Sequence, residues 1–151
     1  MFPENERIAA VLLAAGASKR FGSPKMLADV HGEPLVRRVA RSFVEAGFYE
    51  IAVVLAPGAD DIASALEGLG VLVVANPRPG DGMLSSAQAG LSALSSGCGR
   101  AAISPADLPG LTPPVLGRLL AGLPPPAPEV VVVPSSGSRR GHPLVVPAGL
   151  V

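Results

Sequence analysis

The sequence has one cysteine, no tryptophan, one tyrosine and four phenylalanines among its 151 residues. A lone Cys98 excludes an internal disulfide, so a reducing cytoplasm is the natural compartment. Aromatics are 3% of the chain and hydrophobic residues 48%. The core therefore has to be assembled from Ala, Val, Leu and Ile, which suits a parallel sheet covered by helices. Charge is scarce as well, at 16%, and balanced, with 12 basic and 12 acidic residues. There is no basic stripe of the kind that phosphate-backbone affinity needs, which argues against nucleic acid as the main partner. No apolar run approaches the ~18 residues of a membrane span. The early run IAAVLLAAGA follows the leader MFPENER, in which Glu4 and Glu6 outweigh Arg7. An export leader is positive, so the run reads as a buried strand. A single domain over residues 1–151 is expected, long enough to bury roughly two thirds of its unfolded surface.

Lysine is the residue whose scarcity is most informative. The chain has two, Lys19 and Lys25, and both lie in LLAAGASKRFGSPKML with Arg20 between them. No acid occurs from Arg7 to Ala28. A cationic, glycine-bearing turn after a buried strand suggests an anion site.

The rest of the chain alternates strands with helices. Ile8 to Ala14, Ile51 to Leu55, Val71 to Val74 and Arg100 to Ser104 are short apolar runs expected as strands. Glu129 to Val133 and Leu144 to Val146 are two further candidates. Pro34 suits the first turn of a helix that places Leu35, Val36, Val39, Ala40, Phe43 and Val44 on one face and ends at Gly47. Asp60 and Asp61 form a plausible cap before Ile62, Ala65, Leu66 and Leu69. A helix after NPRPGDG is expected to turn Leu84, Ala87, Leu91 and Leu94 inward. Thr112 and Pro113 open the last helix. Such alternation predicts a doubly wound α/β sheet in which the loops after Ala14, Val74 and Ser104 share the carboxyl edge where ligands bind. Proline is concentrated late, with 11 of 17 beyond Ser104, and LPPPAPE reads as a stiff connector.

The cationic loop is not a Walker A, since five residues separate Gly16 from Gly22 and Lys25 does not follow a glycine; nor is it G-x-G-x-x-G. Its pattern L-A-A-G-x-S-x-R-x-G-x-x-K, carried by Leu13, Ala14, Ala15, Gly16, Ser18, Arg20, Gly22 and Lys25, resembles the signature loop of the molybdenum cofactor guanylyl- and cytidylyltransferase superfamily. GEPLV at 32–36, NPRPGDGMLSSAQAG, ADLP and RGHPLVV resemble four further elements of that family in order and spacing.

The resemblance implies a three-layer, Rossmann-like nucleotidyltransferase fold. It also implies a reaction in which a phosphate oxygen of molybdopterin attacks the α-phosphorus of CTP and releases pyrophosphate, with Mg²⁺ as cofactor and a molybdoenzyme as a further partner. By the same resemblance Arg20 and Lys25 neutralise the departing pyrophosphate, and Asp107 in ADLP holds the metal. Leu13, Ala14, Ala15, Gly16, Ser18, Gly82 and Ser85 surround the nucleotide, and Arg139, Arg140 and His142 face the acceptor. Each residue also has an ordinary reading: Lys25 as a solvated loop lysine, Asp107 as a turn residue before Pro109, Ser85 and Ser86 as helix-start residues, His142 as a structural histidine. The family's guanylyl branch has L-A-G-G where this chain has Leu13-Ala14-Ala15-Gly16, so the added methyl favours a pyrimidine, by only ~1 to 3 kcal/mol.

Related readings are a GTP-using guanylyltransferase, a cytidylyltransferase for an isoprenoid or sugar phosphate, and a nucleotide-binding carrier or remnant without turnover. Family members continue past G-H-P into a strand and helix bearing an aspartate motif, whereas here no aspartate follows Asp107. The expectation is a metal held by one carboxylate, weak CTP binding, and uncovered apolar sheet that invites self-association.

Overall fold

The computed structural model describes residues 6–16 and 24–149. Strand β1 (Ile8–Leu13) is followed, past residues 17–23, by a turn of 3-10 helix at Lys25–Leu27. A small ribbon, β2 (Asp29–Val30) and β3 (Glu33–Pro34), leads into helix α1 (Leu35–Ala46). Then come β4 (Ile51–Leu55), α2 (Asp60–Ala65), β5 (Leu72–Ala75), α3 (Met83–Ala93), β6 (Arg100–Pro105) and α4 (Pro113–Ala121). The hairpin β7 (Ser135–Ser136) and β8 (Arg139–Arg140) precedes the last strand, β9 (Leu144–Pro147).

Five strands form the main sheet in the order β5-β4-β1-β6-β9. The first four are mutually parallel and β9 runs antiparallel to β6. Every residue of β4 is buried, as are Ala9 to Leu12 of β1, as expected for strands covered on both faces. One face carries Ala10, Leu12, Val53 and Leu55 into a core shared with Val36, Val39 and Phe43 of α1, Ile62 of α2 and Leu116 of α4. The other face is covered by α3, which packs on β1, β4 and β5. The fold is thus a three-layer, mostly parallel α/β sheet. Because β1, β4, β5 and β6 are parallel, the loops after Leu13, Ala75 and Pro105 do emerge at one edge.

Four expectations need correction. In α3 the buried positions are Ser86, Ala87 and Gly90, while Leu84 is 70% exposed. Gly90 explains the small face: a Cβ there would lie 2.3 Å from Val11 Cγ1 and 2.9 Å from Val54 Cγ2, so the helix rests on the sheet by its backbone. Glu129 to Val133 is not a strand but contributes one bridge, Val132 to Val145. Pro128 and Pro134 flank it and Glu129 has φ 64°, conditions that end a ladder. The cap of α2 is Ala59, with Asp60 and Asp61 already in the first turn. Val44 is half-exposed, while the other expected inward residues of α1 are buried and Gly47 closes the helix with φ 91°. Among the described residues no helix is long and apolar enough to cross a membrane.

Candidate active site

Three loops meet at the carboxyl edge. The first continues β1: Ala14 N–H donates to Val54 O at 2.8 Å, so the chain stays in register one residue past the strand. Ala14 and Ala15 are buried and Gly16 is exposed. A Cβ at Gly16 meets nothing within 4 Å, so no described part of the protein demands glycine there. Ser18 and Arg20 lie outside the described residues, as do Lys19 and Gly22.

Lys25 is positioned by its neighbours on the C-terminal side. Met26 is buried, Leu27 N–H donates to Pro24 O, and Leu35 N–H donates to Ala28 O at 2.9 Å, tying the 3-10 turn to the start of α1. Glu33 in turn pairs with Arg41 and Arg38 of α1, which holds the ribbon down.

Asp107 arrives from β6. Ala106 is fully buried and its N–H donates to Leu13 O at 2.9 Å, so Asp107 comes directly after the last residue tied to the sheet. Its Oδ2 accepts from Lys25 Nζ at 3.0 Å. The motifs place these two residues at the site separately; the β1–β6 pairing brings them together.

The third loop turns on Asn76, which is 2% exposed. Its Nδ2 donates to Ser85 Oγ and to Ser86 Oγ, both at 2.9 Å, and its Oδ1 accepts from Arg78 N–H at 3.0 Å. Ser85 Oγ also lies 2.8 Å from Gly82 O and 3.1 Å from Arg78 O. The Ser85 hydroxyl is therefore engaged within its own loop. Gly82 has φ 92° and ψ −178°, a conformation reserved for glycine. No role of its own was expected for Asn76, although it is the first residue of the NPRPGDGMLSSAQAG segment, whose spacing from Asn76 to Gly82, Ser85 and Ser86 is part of the family resemblance.

The antiparallel register of β9 sets the fourth group. Ile103 pairs with Leu144, so Pro143 and His142, which precede β9, lie beside the carboxyl end of β6. Pro143 is buried and His142 exposed. Arg139 and Arg140 are exposed on the hairpin, which turns at Gly137. His142 and Arg118 border a largely apolar groove of about 380 Å³ between α4 and the edge of β9, lined by Leu116, Leu119, Val132 and Val145.

Among the described residues no three His, Cys, Asp or Glu side chains form a metal cradle. Among the described residues, Asp107 brings a carboxylate, a hard oxygen donor, to the end of β6 beside Lys25. That fits Mg²⁺, which keeps several waters and is commonly held by one or two carboxylates together with substrate phosphates.

The fold is that of a nucleotidyltransferase: a nucleotidyl transferase from Methanothermobacter superposes with a TM-score of 0.80 at 23% identity, covering 95% of this chain and 73% of that one. Residues 10–151 match the MobA-like NTP transferase domain, and the chain belongs to that family. Nicotine blue oxidoreductase of Paenarthrobacter nicotinovorans is 34% identical over 148 residues, 95% of this chain and 72% of that protein. A protein of Natronomonas pharaonis named "Probable molybdenum cofactor guanylyltransferase" is 34% identical over 110 residues, 72% of this chain and 54% of the other. The crystal structure of Rv0371c from Mycobacterium tuberculosis superposes with a TM-score of 0.80 at 26% identity, covering 93% of this chain and 71% of that one. The same mycobacterial protein is also known in complex with manganese, at TM-score 0.74 and 23% identity to this chain.

Proposed function

We propose that this chain transfers the cytidylyl group of CTP to the terminal phosphate of molybdopterin or the molybdenum cofactor, releasing pyrophosphate. The observation that carries the reading is the Lys25–Asp107 pair at 3.0 Å on the carboxyl edge, beside the turn Ala14–Gly16. A cation suited to phosphate and a carboxylate suited to a metal meet there, which supports the reading.

An acceptor phosphate oxygen forms the new bond to the α-phosphorus, and the bond from that phosphorus to the β-phosphate oxygen breaks. Pyrophosphate leaves with the bonding electrons. The acceptor phosphate is ionised at neutral pH, so no side-chain base is needed, and catalysis reduces to alignment and charge compensation. Gly16 and its neighbours offer backbone N–H groups to the phosphates, and Arg20 and Lys25 neutralise the leaving group. Asp107 would hold Mg²⁺, which when bound offsets charge on the phosphates. The manganese complex of a protein of the same fold supports a divalent ion in this role. Gly82 and the start of α3 lie on the nucleotide side, with Arg139, Arg140 and His142 on the acceptor side. Ala15, only 9% exposed, and the segment Gly82-Met83-Leu84-Ser85-Ser86 favour CTP over GTP.

Calorimetry with CTP and GTP in Mg²⁺ tests base choice, and pyrophosphate release with molybdopterin tests transfer. Tighter CTP binding by about tenfold, or ~1.4 kcal/mol, is expected. Equal affinities would remove the cytidylyl assignment. A second reading, oxidoreduction, is favoured by the similarity to nicotine blue oxidoreductase over 95% of this chain. Redox turnover of nicotine blue by this chain, without any triphosphate binding, would establish it instead.

A further inference from the structure

Residues 77 to 84, from the end of β5 into the first turn of α3, are all exposed. No apolar side chain anchors them. They are bracketed by two buried polar residues, Asn76 at 2% and Ser86 at 5% exposure. Asn76 is itself an extension of the sheet, because its N–H donates to Leu55 O at 2.8 Å. Its side chain then uses both amide protons on Ser85 and Ser86 and its carbonyl on the Arg78 N–H. An exposed loop with two prolines and two glycines, turned by Asp81 N–H to Arg78 O and Gly82 N–H to Pro79 O, is thus tied to α3 by one buried amide.

The direction of this brace matters. Ser85 Oγ holds the carbonyl of Gly82 at 2.8 Å. In a planar trans peptide the N–H points opposite to the C=O, so the Met83 N–H is turned the other way, away from Ser85 and out of the start of α3. The body of α3 needs no help from Asn76, since it is seated on Val11 and Val54 at Gly90. Losing the amide would free the loop and leave the helix in place.

We propose that Asn76 is a positioning residue for the nucleotide: it sets the Gly82 peptide and the first turn of α3 in the orientation that receives the nucleotide, with the Ser85 hydroxyl working in the brace. This rests on the nucleotidyltransferase reading above.

The test is calorimetry of CTP with Mg²⁺ on the wild type, Asn76→Ala and Ser86→Ala, beside thermal melting and amide exchange. Asn76→Ala is expected to weaken CTP binding by about tenfold or more. Exchange should rise over residues 77–86 and stay unchanged in β1 and α1. Ser86→Ala removes one of the two acceptors and should shift affinity in the same direction by less, which carries the test if Asn76→Ala does not fold. Faster exchange with unchanged CTP affinity in the folded variants would reduce Asn76 to a structural brace and overturn the inference alone. A wild type that binds neither CTP nor GTP would overturn the nucleotidyltransferase reading and this inference together.

Discussion

Lys25 and Asp107 form an ion pair across 82 residues of sequence. Their side chains are 43% and 29% exposed, so water screens the pair and its worth to folding is about 0–1 kcal/mol. Asp107→Asn is accordingly expected to melt within a few degrees of wild type. The same variant should lose the Mg²⁺ dependence of CTP binding, as titrations with and without the ion will show. Full Mg²⁺ dependence in the folded variant would reject Asp107 as the metal ligand.

Lys25 Nζ lies 3.0 Å from Asp107 Oδ2, and a cation already beside a carboxylate opposes the approach of a second. In the nucleotide-free protein, Lys25→Met should raise Mn²⁺ affinity by about threefold or more, and lower CTP affinity by at least tenfold, or ~1.4 kcal/mol. Lys19→Ala should change both far less. A larger loss of CTP binding at Lys19 would reverse the assignment.

Gly90→Ala places a methyl 2.3 Å from Val11 Cγ1 and 2.9 Å from Val54 Cγ2. Both valines are fully buried in central strands and their χ1 angles are stiff. The helix must lift, at a cost of about 1–3 kcal/mol. Chemical denaturation measures it; a stability equal to wild type would mean that the helix is not seated on its backbone.

Ala15→Gly removes the methyl argued to narrow the base pocket. The CTP to GTP affinity ratio should fall by no more than the ~1 to 3 kcal/mol that one methyl supplies. An unchanged ratio would move base selection away from Ala15.

Burial, with the nearby Glu50 carboxylate as a lesser contribution, pushes the Cys98 thiol up from its ordinary value. The folded state therefore holds this proton more tightly than the unfolded chain does. The resulting stabilisation is complete below the unfolded thiol range, about 8.5, and is lost as pH rises through the folded value. Slow alkylation of the native protein near neutral pH, accelerated on unfolding, is the expected signature; alkylation at the rate of a free thiol would contradict it.

Strands buried on both faces were the most legible feature of the sequence. Ile51 to Leu55 has the bounds the pattern predicts, because a continuous apolar run flanked by loop residues leaves little choice. The inward face of α3 was not legible. Leucine periodicity argues for Leu84, whereas the real contact depends on β-branched residues opposite Gly90 in two distant strands. Val130 and Val131 are as apolar as any strand, yet they stay about half-exposed where flanking prolines remove donors. At the candidate site the motifs indicated Lys25 and Asp107 one by one, and the sheet topology supplied their contact. Asn76 opens the NPRPGDGMLSSAQAG segment, so its spacing from Ser85 and Ser86 was legible, whereas the hydrogen bonds that join the three were not.

The reversed direction of β9 gives the edge a division of labour. Under the proposed function, everything that grips the nucleotide comes after a strand: the turn behind β1, the loop behind β5, the aspartate behind β6. The groups assigned to the acceptor come before one, in the stretch from Arg139 to His142. Donor and acceptor machinery are thus adjacent in space yet separate in the chain. Lengthening or recolouring the hairpin can retune what receives the nucleotidyl group with the donor side left intact, so one scaffold is able to serve many recipients.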